Sequence, residues 1–328
     1  MELRDKSKIL VTGGAGFIGS NLCEHLLLNG EEVVCLDNFS TGHMSNILHL
    51  LNDYPTRFKL IEGDIRNFET CVRAVSGVDF VLHEAALGSI PRSVEDPITT
   101  NDVNVGGFLN MLLAARNQKV KRFIFASSSS VYGDSEALPK IEDTIGMPIS
   151  PYALTKHVDE LYANVFAKTF GIEYIGLRYF NVFGRRQDPN STYAAVIPLF
   201  IKLLWNHNRP IINGDGQNSR DFTYIDNVIH MNMLALKTTN SKSVNQIYNT
   251  ASGEQTNITQ LFLEIKRHLS QFDSSISNID PIYGPSRTGD IPHSFASIDK
   301  ARQQLGYSPL VSFRDGLKEA VSWYVDNL

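Results

Sequence analysis

A glycine-rich turn near the start of the chain constrains the fold more than any other feature. Gly13, Gly16 and Gly19 follow an apolar run at residues 9–11 and precede residues 20–28, whose leucines recur at helical spacing. Strand, glycine turn and helix in this order are typical of a dinucleotide-binding unit, because glycines let main-chain N–H groups approach a pyrophosphate. The spacing is G-x-x-G-x-x-G rather than the commoner G-x-G-x-x-G, so the motif by itself leaves an ordinary tight turn open.

The first half of the chain alternates apolar runs with stretches of helical periodicity. Five further runs predict strands at residues 32–36, 58–61, 78–82, 120–125 and 172–177, and two stretches between them predict helices at 104–116 and 151–170. Continuous apolar strands separated by helices predict an α/β fold with a Rossmann-type doubly wound parallel sheet. Ligands of such sheets lie beyond the carboxyl ends of the strands, and each polar cluster of this half falls there.

Two aspartates at strand ends suit the adenosine half of a dinucleotide. Asp37 ends the second strand, where a carboxylate accepts hydrogen bonds from both ribose hydroxyls of NAD and repels the additional phosphate of NADP. Asp64 and Ile65 suit the adenine, with the carboxylate near the exocyclic amine and the isoleucine against the ring. An ordinary surface aspartate remains the alternative for both positions. The sequence therefore predicts NAD as the cofactor.

The regular alternation ends near residue 179. Helices are predicted at 194–205 and 258–269, with loops rich in Asn, Gly, Pro and Arg around them, and two short strands at 221–224 and 247–249 pass between the two parts. We therefore predict an NAD-binding Rossmann domain at residues 1–179, with a returning segment near 221–250. A smaller mixed α/β substrate domain is predicted at residues 180–328.

Composition excludes several classes of protein. The net charge of −5 gives no reason to expect nucleic acid as a partner, and no run approaches the ~18 apolar residues of a membrane helix. Cys23, Cys35 and Cys71 are odd in number and unclustered, which argues against a disulfide framework and for a reducing cytoplasm. The polar residues 1–8 do not resemble a signal peptide, and no metal-ligand spacing occurs, so we expect a cytoplasmic protein without a metal.

A tyrosine, a lysine and a serine form the candidate catalytic set. Tyr152 and Lys156 are four residues apart in a predicted helix, with Ser150 and Pro151 as its N-cap and first residue. A phenol with a pKa near ~10 acts as a base at neutral pH only when a fixed cation favours its charged form. Chance Y-x-x-x-K pairs are common, so the pair gains its weight from Ser128 at the preceding strand end, where a hydroxyl can hydrogen-bond the same substrate oxygen.

These motifs together resemble the extended short-chain dehydrogenases/reductases. The resemblance is carried by the glycine turn, Asp37, residues 64–65, the serines 127–130 before Val131-Tyr132-Gly133, the Tyr152/Lys156 pair and residues 178–184. Within that group the chain is similar to the UDP-hexose 4-epimerases of the branch acting on N-acetylated sugars. The resemblance implies a tightly held NAD, a homodimer, and reversible interconversion of UDP-GlcNAc and UDP-GalNAc through a transient 4-keto sugar.

The resemblance also implies a residue for each role. Tyr152, Lys156 and Ser128 match the catalytic residues of the family, although four successive serines leave the serine assignment open. The coenzyme-binding set is then Gly13, Gly16, Phe17, Ile18, Gly19, Asp37, Asn38, Asp64, Ile65, Ala85, Ala86, Asn104, Tyr152 and Lys156. The substrate-binding set is Gly88, Ser89, Arg92, Ser128, Ser129, Ser130, Tyr152, Asn181, Arg220, Arg287, Asp290 and Ser294.

Several positions separate this chain from other members of the group. Ser294 stands where enzymes limited to glucose and galactose carry a bulky aromatic residue, and a small side chain leaves room for an N-acetyl group. Ser129 and Ser130 replace the Asp-Glu pair of family dehydratases, so the acid needed to eliminate water is missing. Glu84 follows the fourth strand where short dehydrogenases have Asn. His83, just before it, is expected to be a packed residue rather than a ligand.

Alternatives remain open at this stage. Related sequences act on UDP-linked 2-acetamido uronic acids, and Ser294 does not separate these from neutral sugars; UDP-Glc and UDP-Gal are further candidates. A catalytically silent NAD-binding regulatory protein is the alternative of a different class. Arg220 could pair with Asp221 or Asp226 instead of a diphosphate. The apolar residues Leu161, Tyr162, Val165 and Phe166 of the Tyr152 helix suit a dimer interface and a core equally well.

Overall fold

A parallel sheet forms the centre of the molecule, which we describe from a computed structural model over residues 6–285 and 292–328. The strands of these residues are β1 (Lys8–Thr12), β2 (Glu32–Asp37), β3 (Phe58–Glu62), β4 (Phe80–His83), β5 (Arg122–Ser128), β6 (Tyr174–Tyr179), β7 (Val182–Phe183), β8 (Ile211–Asn213), β9 (Ser219–Arg220), β10 (Thr223–Tyr224), β11 (Gln246–Thr250), β12 (Thr256–Asn257) and β13 (Ile282–Gly284). The helices are α1 (Phe17–Leu28), α2 (Leu48–Asp53), α3 (Phe68–Ala74), α4 (Ile90–Glu95), α5 (Pro97–Asn101), α6 (Phe108–Asn117), α7 (Pro151–Phe170), α8 (Val196–Trp205), α9 (Ile225–Lys237), α10 (Ile258–Leu269), α11 (Asp299–Leu305) and α12 (Phe313–Asn327).

Seven strands make the central sheet, in the spatial order β11-β6-β5-β4-β1-β2-β3. Every neighbouring pair in this sheet is parallel. The strand order reverses between β1 and β4, which is the switch point where doubly wound sheets open a ligand crevice. The predicted Rossmann-type doubly wound sheet is therefore confirmed.

The strand boundaries differ from the predicted ones in a systematic way. β4, β5 and β6 each begin two residues later than the apolar runs that predicted them. Val78, Val120 and Ile172, the first residues of those runs, are buried in the turns that precede the strands. Because these three side chains also belong to the core, the apolar sequence pattern extends beyond the strands themselves.

The second half of the chain joins the sheet at one edge and continues its core. The predicted strand at 247–249 is the middle of β11, which pairs with β6. Of the predicted strand at 221–224, only the last two residues form a strand, β10, which pairs with β7. One apolar layer runs from α1 and α9 into α10 and α12, while the other lies under α3, α6 and α7. The division at residues 179/180 stays a prediction.

Local signals fix the helix that carries the candidate catalytic pair. The Ser150 side chain accepts a hydrogen bond from the N–H of Ala153, Pro151 is the first helical residue, and Gly171 ends α7 in the left-handed conformation at φ +74°. The predicted helix at 151–170 is thus confirmed. The helix predicted at 104–116 begins instead as a π-helical turn, Asp102–Gly107, and becomes α6 at Phe108.

Three further observations bear on the exclusions made from composition. Cys23, Cys35 and Cys71 are free thiols and are all buried. Within residues 6–285 and 292–328, no helix combines the length and apolar character that crossing a bilayer requires. The same residues contain no group of three or more His, Cys, Asp or Glu side chains arranged to hold a metal ion.

Candidate active site

One large cavity opens at the carboxyl ends of the sheet strands. It has a volume of about 1280 Å³, which is ample for a dinucleotide beside a second ligand. Most of the residues predicted for the coenzyme and the substrate line it: Gly13, Gly16, Phe17, Ile18, Gly19, Asp37, Asn38, Asp64, Ile65, Ala85, Ala86, Gly88, Ser89, Ser128, Ser129, Ser130, Tyr152, Lys156, Asn181, Arg220 and Ser294.

The glycine turn is packed so tightly that side chains are excluded by main-chain atoms. Gly13 has φ +65°, and a Cβ there would lie 2.9 Å from the backbone of Ala85. A Cβ on Gly19 would lie 2.1 Å from the carbonyl oxygen of Gly13. Gly16, the N-cap of α1, has no side chain to cap the helix, so the first amides of α1 stay available for an anion. This cradle fits the pyrophosphate of NAD.

Asp37 is fixed at the end of β2 by the glycine turn itself. Its Oδ2 accepts a hydrogen bond from the N–H of Ala15 at 2.8 Å, and its Oδ1 accepts one from the N–H of Phe39 at 2.8 Å. A carboxylate oxygen has room for a further donor, so both oxygens can still receive ribose hydroxyls. The geometry fits the predicted contact with NAD.

Asp64 lines the cavity, and its carboxylate is already engaged by neighbouring side chains. Arg66 donates to both carboxylate oxygens, from Nε to Oδ1 at 3.0 Å and from Nη2 to Oδ2 at 2.7 Å, and Asn38 also donates to Oδ2 at 2.9 Å. The Arg66 guanidinium holds the pKa of Asp64 down at about 2. With the main-chain N–H of Arg66 on Oδ1 as well, each oxygen already has two donors. An adenine amine would have to displace one of them, whereas Ile65 faces the cavity as predicted.

The serines at the end of β5 face opposite sides of the sheet. Ser127 is buried and donates to Glu160 Oε1, whose partner is Arg178. Ser128, the next residue along the strand, points to the other face, because successive side chains of a strand alternate. Both residues border the cavity, but only the Ser127 hydroxyl is bound to Glu160. Ser128 Oγ accepts hydrogen bonds from the Ser130 N–H at 3.1 Å and from the Ser130 hydroxyl at 3.0 Å. Its own proton is therefore left for an acceptor in the cavity.

The tyrosine and the lysine lie in the first two turns of α7. Lys156 is 3% exposed, and its Nζ donates to the carbonyl oxygen of Ala126 at 2.9 Å and contacts Asp159 Oδ2 at 3.5 Å. Burial raises the pKa of Asp159 to about 8, against the opposing effect of the Lys156 charge. The main-chain N–H of Tyr152 donates to Ser93 Oγ at 3.1 Å, and its side chain lines the cavity. One fixed ammonium thus stands on the same helix face as the phenol.

His83 is a packed residue, as predicted. Its ring is 2% exposed and lies against the rings of Phe108 and Phe123, with centroid distances of 5.5 Å to each. Burial lowers its pKa to about 3, so the imidazole is neutral. Its Nδ1 lies 2.9 Å from Thr12 Oγ1, which also accepts the N–H of Ala85. The ring therefore helps to join the ends of β1 and β4.

The opposite wall of the cavity is built by residues from loops and short strands. Asn181 lies just after β6 at φ +33° and donates from Nδ2 to the carbonyl oxygen of Asp221 at 3.2 Å. Arg220 donates from Nη1 to the carbonyl oxygen of Ser219 at 2.9 Å, and the N–H of Ser294 donates to the same carbonyl at 3.0 Å. These contacts bring Asn181, Arg220 and Ser294 to one wall.

The alternative partners considered for Arg220 are engaged elsewhere. Asp226 accepts a hydrogen bond from Arg185 Nη1 at 2.7 Å. Asp221 is buried and accepts hydrogen bonds from the Ser252 hydroxyl at 2.6 Å and the Gly253 N–H at 3.1 Å. Burial raises the pKa of Asp221 to about 6.

Two of the predicted site residues that the structure describes, Asn104 and Arg92, are not among those that line the cavity. Asn104 is buried behind the wall, where it accepts the N–H of Leu87 at 2.8 Å and donates to Thr155 Oγ1 at 3.1 Å, so its position favours support of the wall over coenzyme contact. The Arg92 guanidinium lies over the ring of Tyr193, 5.1 Å from its centroid. Arg287 and Asp290 lie outside the described residues.

Several cavity residues were missed by the sequence prediction, and four of them carry polar side chains from strand ends or loops: Glu84, Tyr179, Gln187 and Tyr193. Glu84 and Tyr179 sit at the carboxyl ends of β4 and β6, so the rule that ligands lie at strand ends carries a signal for them. Gln187 and Tyr193 lie in the loop before α8, where no strand or helix pattern marks a position. Sequence spacing gives no signal for those two.

Comparison with known proteins places the chain in a family. The model of the NAD dependent epimerase/dehydratase family matches residues 9–251. The UDP-glucose 4-epimerase of Mycolicibacterium smegmatis is 32% identical, with 97% of this chain and 98% of that protein covered. A structure of a UDP-N-acetylglucosamine 4-epimerase from Methanobrevibacter ruminantium M1, in complex with UDP-N-acetylmuramic acid, is similar with 37% identity, 99% of this chain and 100% of that chain covered, and a TM-score of 0.90. A UDP-glucuronic acid 4-epimerase from Bacillus cereus, solved with UDP-glucuronic acid and NAD, has 33% identity, coverage of 98% and 100%, and a TM-score of 0.88. The chain therefore belongs to the NAD dependent epimerase/dehydratase family.

Proposed function

We propose that this NAD-dependent UDP-sugar 4-epimerase interconverts UDP-GlcNAc and UDP-GalNAc. The observation that carries the sugar assignment is Ser294, a small residue on the cavity wall opposite the glycine turn. A small side chain leaves space for an N-acetyl group, whereas a bulky one would have to be displaced. The similar structure from Methanobrevibacter ruminantium, named as a UDP-N-acetylglucosamine 4-epimerase, supports the same choice.

Three side chains perform the proton chemistry in this proposal. Tyr152, as the phenolate, takes the proton of the sugar 4-hydroxyl and later returns it. Ser128 donates a hydrogen bond to the same sugar oxygen through its unengaged proton, and Lys156 supplies the positive charge that favours the phenolate. The hydride that leaves sugar C4 would go to the nicotinamide of bound NAD and return from it. Because the sugar regains both the proton and the hydride that it gave up, no coenzyme is consumed.

The cavity divides the remaining roles between its two walls. The turn at residues 13–19 would hold the pyrophosphate of NAD, Asp37 its adenosine ribose, and Ile65 the adenine. On the other wall Asn181 and Arg220 would contact the diphosphate of the nucleotide sugar, because arginine presents several fixed donors to phosphate oxygens. Arg287 is proposed for the diphosphate and Asp290 for the uridine ribose. Residues proposed to lie near the sugar are Gly88, Ser89, Arg92, Ser129 and Ser130.

A substrate panel tests the sugar assignment. Purified holoprotein is given equal concentrations of UDP-GlcNAc, UDP-Glc, UDP-GlcA and UDP-linked 2-acetamido glucuronic acid, and the appearance of each 4-epimer is followed by NMR. We expect the highest kcat/KM for UDP-GlcNAc. A preference for the acetamido uronic acid would favour the second candidate. No epimerisation of any of the four, with NAD bound, would contradict the enzymatic proposal and favour a regulatory role.

A single substitution separates the N-acetyl pocket from the rest of the cavity. Ser294→Tyr should lower kcat/KM for UDP-GlcNAc at least about tenfold and leave that for UDP-Glc within about twofold, because only the acetyl group would meet the added ring. Ser277→Tyr makes the same change at an exposed position and serves as the control. Equal losses for both sugars would place Ser294 away from the acetyl group.

A homodimer is part of the proposal. Leu161 and Val165 on α7 are 52% and 54% exposed, whereas Phe166 is buried in the core. The four apolar residues considered for this face thus divide between surface and interior, and the exposed pair supports an interface along α7. Light scattering after size-exclusion chromatography should give twice the chain mass, and Leu161→Glu with Val165→Glu should reduce it to one chain mass. A monomeric wild type would contradict this.

A further inference from the structure

A carboxyl group in the cavity has no role in the proposed proton chemistry. Glu84 directly follows β4 and lines the cavity. Its Oε1 accepts a hydrogen bond from the Tyr179 hydroxyl at 3.0 Å, and that hydroxyl in turn accepts one from Asn232 Nδ2 at 2.9 Å. Its Oε2 is closed off from solvent and has no hydrogen-bond partner among the described residues. A buried carboxyl with one oxygen that lacks a hydrogen bond lowers the free energy of unfolding, so we expect Glu84 to have a functional role.

The sheet topology fixes where this carboxyl stands. β4 lies between β1, which leads into the glycine turn, and β5, which ends at Ser128. A dinucleotide that reaches from the glycine turn to Tyr152 and Lys156 has to pass the end of β4. Glu84 then lies beside the nicotinamide half, and this step rests on the coenzyme placement given under the proposed function.

We propose that the Glu84 carboxylate sets the preference of the bound coenzyme for its oxidised state. The oxidised nicotinamide ring carries a positive charge, and reduction removes that charge as the ring takes up two electrons and a proton in the form of a hydride. A nearby carboxylate in a poorly solvated site stabilises the charged ring more than the neutral one. Glu84 forms and breaks no bond, so it is a positioning residue. By stabilising the oxidised ring, Glu84 would favour the oxidised form of the coenzyme, with which each turnover begins.

The groups that face Glu84 determine when it is ionised. Tyr179 approaches from β6 and Lys156 from α7, while Asn232 of α9 acts through Tyr179, and His83 beside it is neutral. Burial raises the pKa of Glu84 to about 7, and the Tyr179 hydrogen bond and the Lys156 charge oppose that rise. The carboxylate is therefore present above about pH 7 and is lost below it. Its effect on the coenzyme should follow the same pH range.

A redox titration of the holoprotein measures this directly. The bound coenzyme is equilibrated with a mediator dye at known potential, without nucleotide sugar, and the oxidised-to-reduced ratio is read from the near-ultraviolet absorbance of the reduced ring. At about pH 8, Glu84→Gln should lower this ratio about tenfold, which is about 30 mV toward more positive potential for a two-electron couple. Below about pH 6 the two proteins should agree, because Glu84 is then neutral in the wild type as well.

Two further variants keep the test decisive. Glu32→Gln removes the same charge at the amino end of β2 and should leave the potential unchanged. Tyr179→Phe keeps the Glu84 carboxyl but removes the hydrogen bond that opposes the rise of its pKa. The reduction potential of the bound coenzyme in this variant should therefore exceed that of the wild type near pH 7 and match it near pH 9. This variant carries the test if Glu84→Gln does not fold. Equal potentials for wild type and Glu84→Gln at about pH 8 would overturn the proposal. Because no sugar is present, a failure of the sugar assignment would not affect this result.

Discussion

The two walls of the cavity are built in different ways. The coenzyme wall consists of strand ends and one turn, and its shape depends on main-chain atoms: a Cβ on Gly19 would lie 2.1 Å from a carbonyl oxygen. The wall proposed to hold the sugar nucleotide, called the sugar wall below, collects Asn181, Arg220 and Ser294 from three separate segments after β6. The chemical nature of this wall depends on which side chains stand there, and a few main-chain hydrogen bonds hold these side chains in place.

The two walls tolerate different changes. Added atoms on the coenzyme wall would meet backbone, which cannot move without deforming β1 and α1. On the proposed sugar wall, a different side chain would change which ligand fits and leave the fold in place. A family built on this plan can therefore keep one coenzyme while its members differ in sugar.

The largest effect is expected where the coenzyme wall is broken. Gly19→Ala should abolish retention of NAD through purification and lower the melting temperature, because its Cβ overlaps the Gly13 carbonyl. Coenzyme released by denaturation, per mole of protein, gives the measurement. Gly106→Ala is the matched control, since a Cβ there meets nothing within 4 Å. Full NAD occupancy in Gly19→Ala would contradict the main-chain account of this wall.

The junction of the two walls should show the next largest effect. Tyr152→Phe should lower kcat about a thousandfold, because it removes the proposed base, and should retain NAD. Epimerisation by NMR and bound coenzyme are measured on the same preparation. Tyr162→Phe on the same helix should keep wild-type turnover. Unchanged kcat in Tyr152→Phe would remove the proposed mechanism, although the family assignment would stand.

The buried carboxyl of Asp221 lies behind the sugar wall. It should give the free energy of unfolding a characteristic pH dependence. Because the pKa of Asp221 is raised to about 6 in the folded protein, the folded state binds the proton more tightly than the unfolded chain. This group therefore lowers the free energy of unfolding as pH rises from about 4 to about 6, by about 3 kcal/mol in total. Asp221→Asn lacks this contribution, so urea unfolding should show its stability relative to wild type rising over that range. A flat difference would show that Asp221 is ionised throughout.

The smallest effect is expected for Asp64, at the rim of the coenzyme wall. Its contribution to stability changes with pH in the opposite direction to that of Asp221. The pKa of Asp64 is lowered to about 2 by Arg66, so this pair stabilises the folded protein above about pH 4 and the stabilisation is lost as pH falls toward 2. Asp64→Asn should cost less than about 1 kcal/mol at neutral pH, since the Arg66 side chain is 47% exposed and the pair is screened. Urea unfolding at two salt concentrations checks this. A larger, salt-independent loss would indicate a structural role for Asp64.

Sequence patterns predicted the coenzyme wall far better than the sugar wall. The glycine turn, the parallel strands and the helix that begins at Pro151 follow from local rules, because each is encoded by neighbouring residues. The strand-end rule also put Ser128 and Asp37 in one crevice. Both Ser127 and Ser128 border the cavity, but the hydrogen bond from the Ser127 hydroxyl to Glu160 distinguishes them, which four identical letters in a row could not do.

The features that the sequence did not predict depend on contacts between distant segments. The engagement of Asp64 by Arg66 and Asn38 follows from how the ends of β2 and β3 meet, and it changes the interpretation of Asp64. Asn104 lies in the π-helical turn before α6, where it is buried and accepts the N–H of Leu87. No periodicity encodes either arrangement. Gln187 and Tyr193 reach the cavity from a loop for which no pattern exists.

The hydroxyl of Ser93 has a consequence for how the protein responds to its ligand. It accepts the main-chain N–H of Tyr152 and donates to the carbonyl oxygen of Ile90, so α4 and the first turn of α7 are tied at one atom. A shift of the segment beside Ser89 would therefore be passed to the backbone of Tyr152, the proposed base. If the sugar contacts Ser89 as proposed, a poorly seated sugar would also misplace that base.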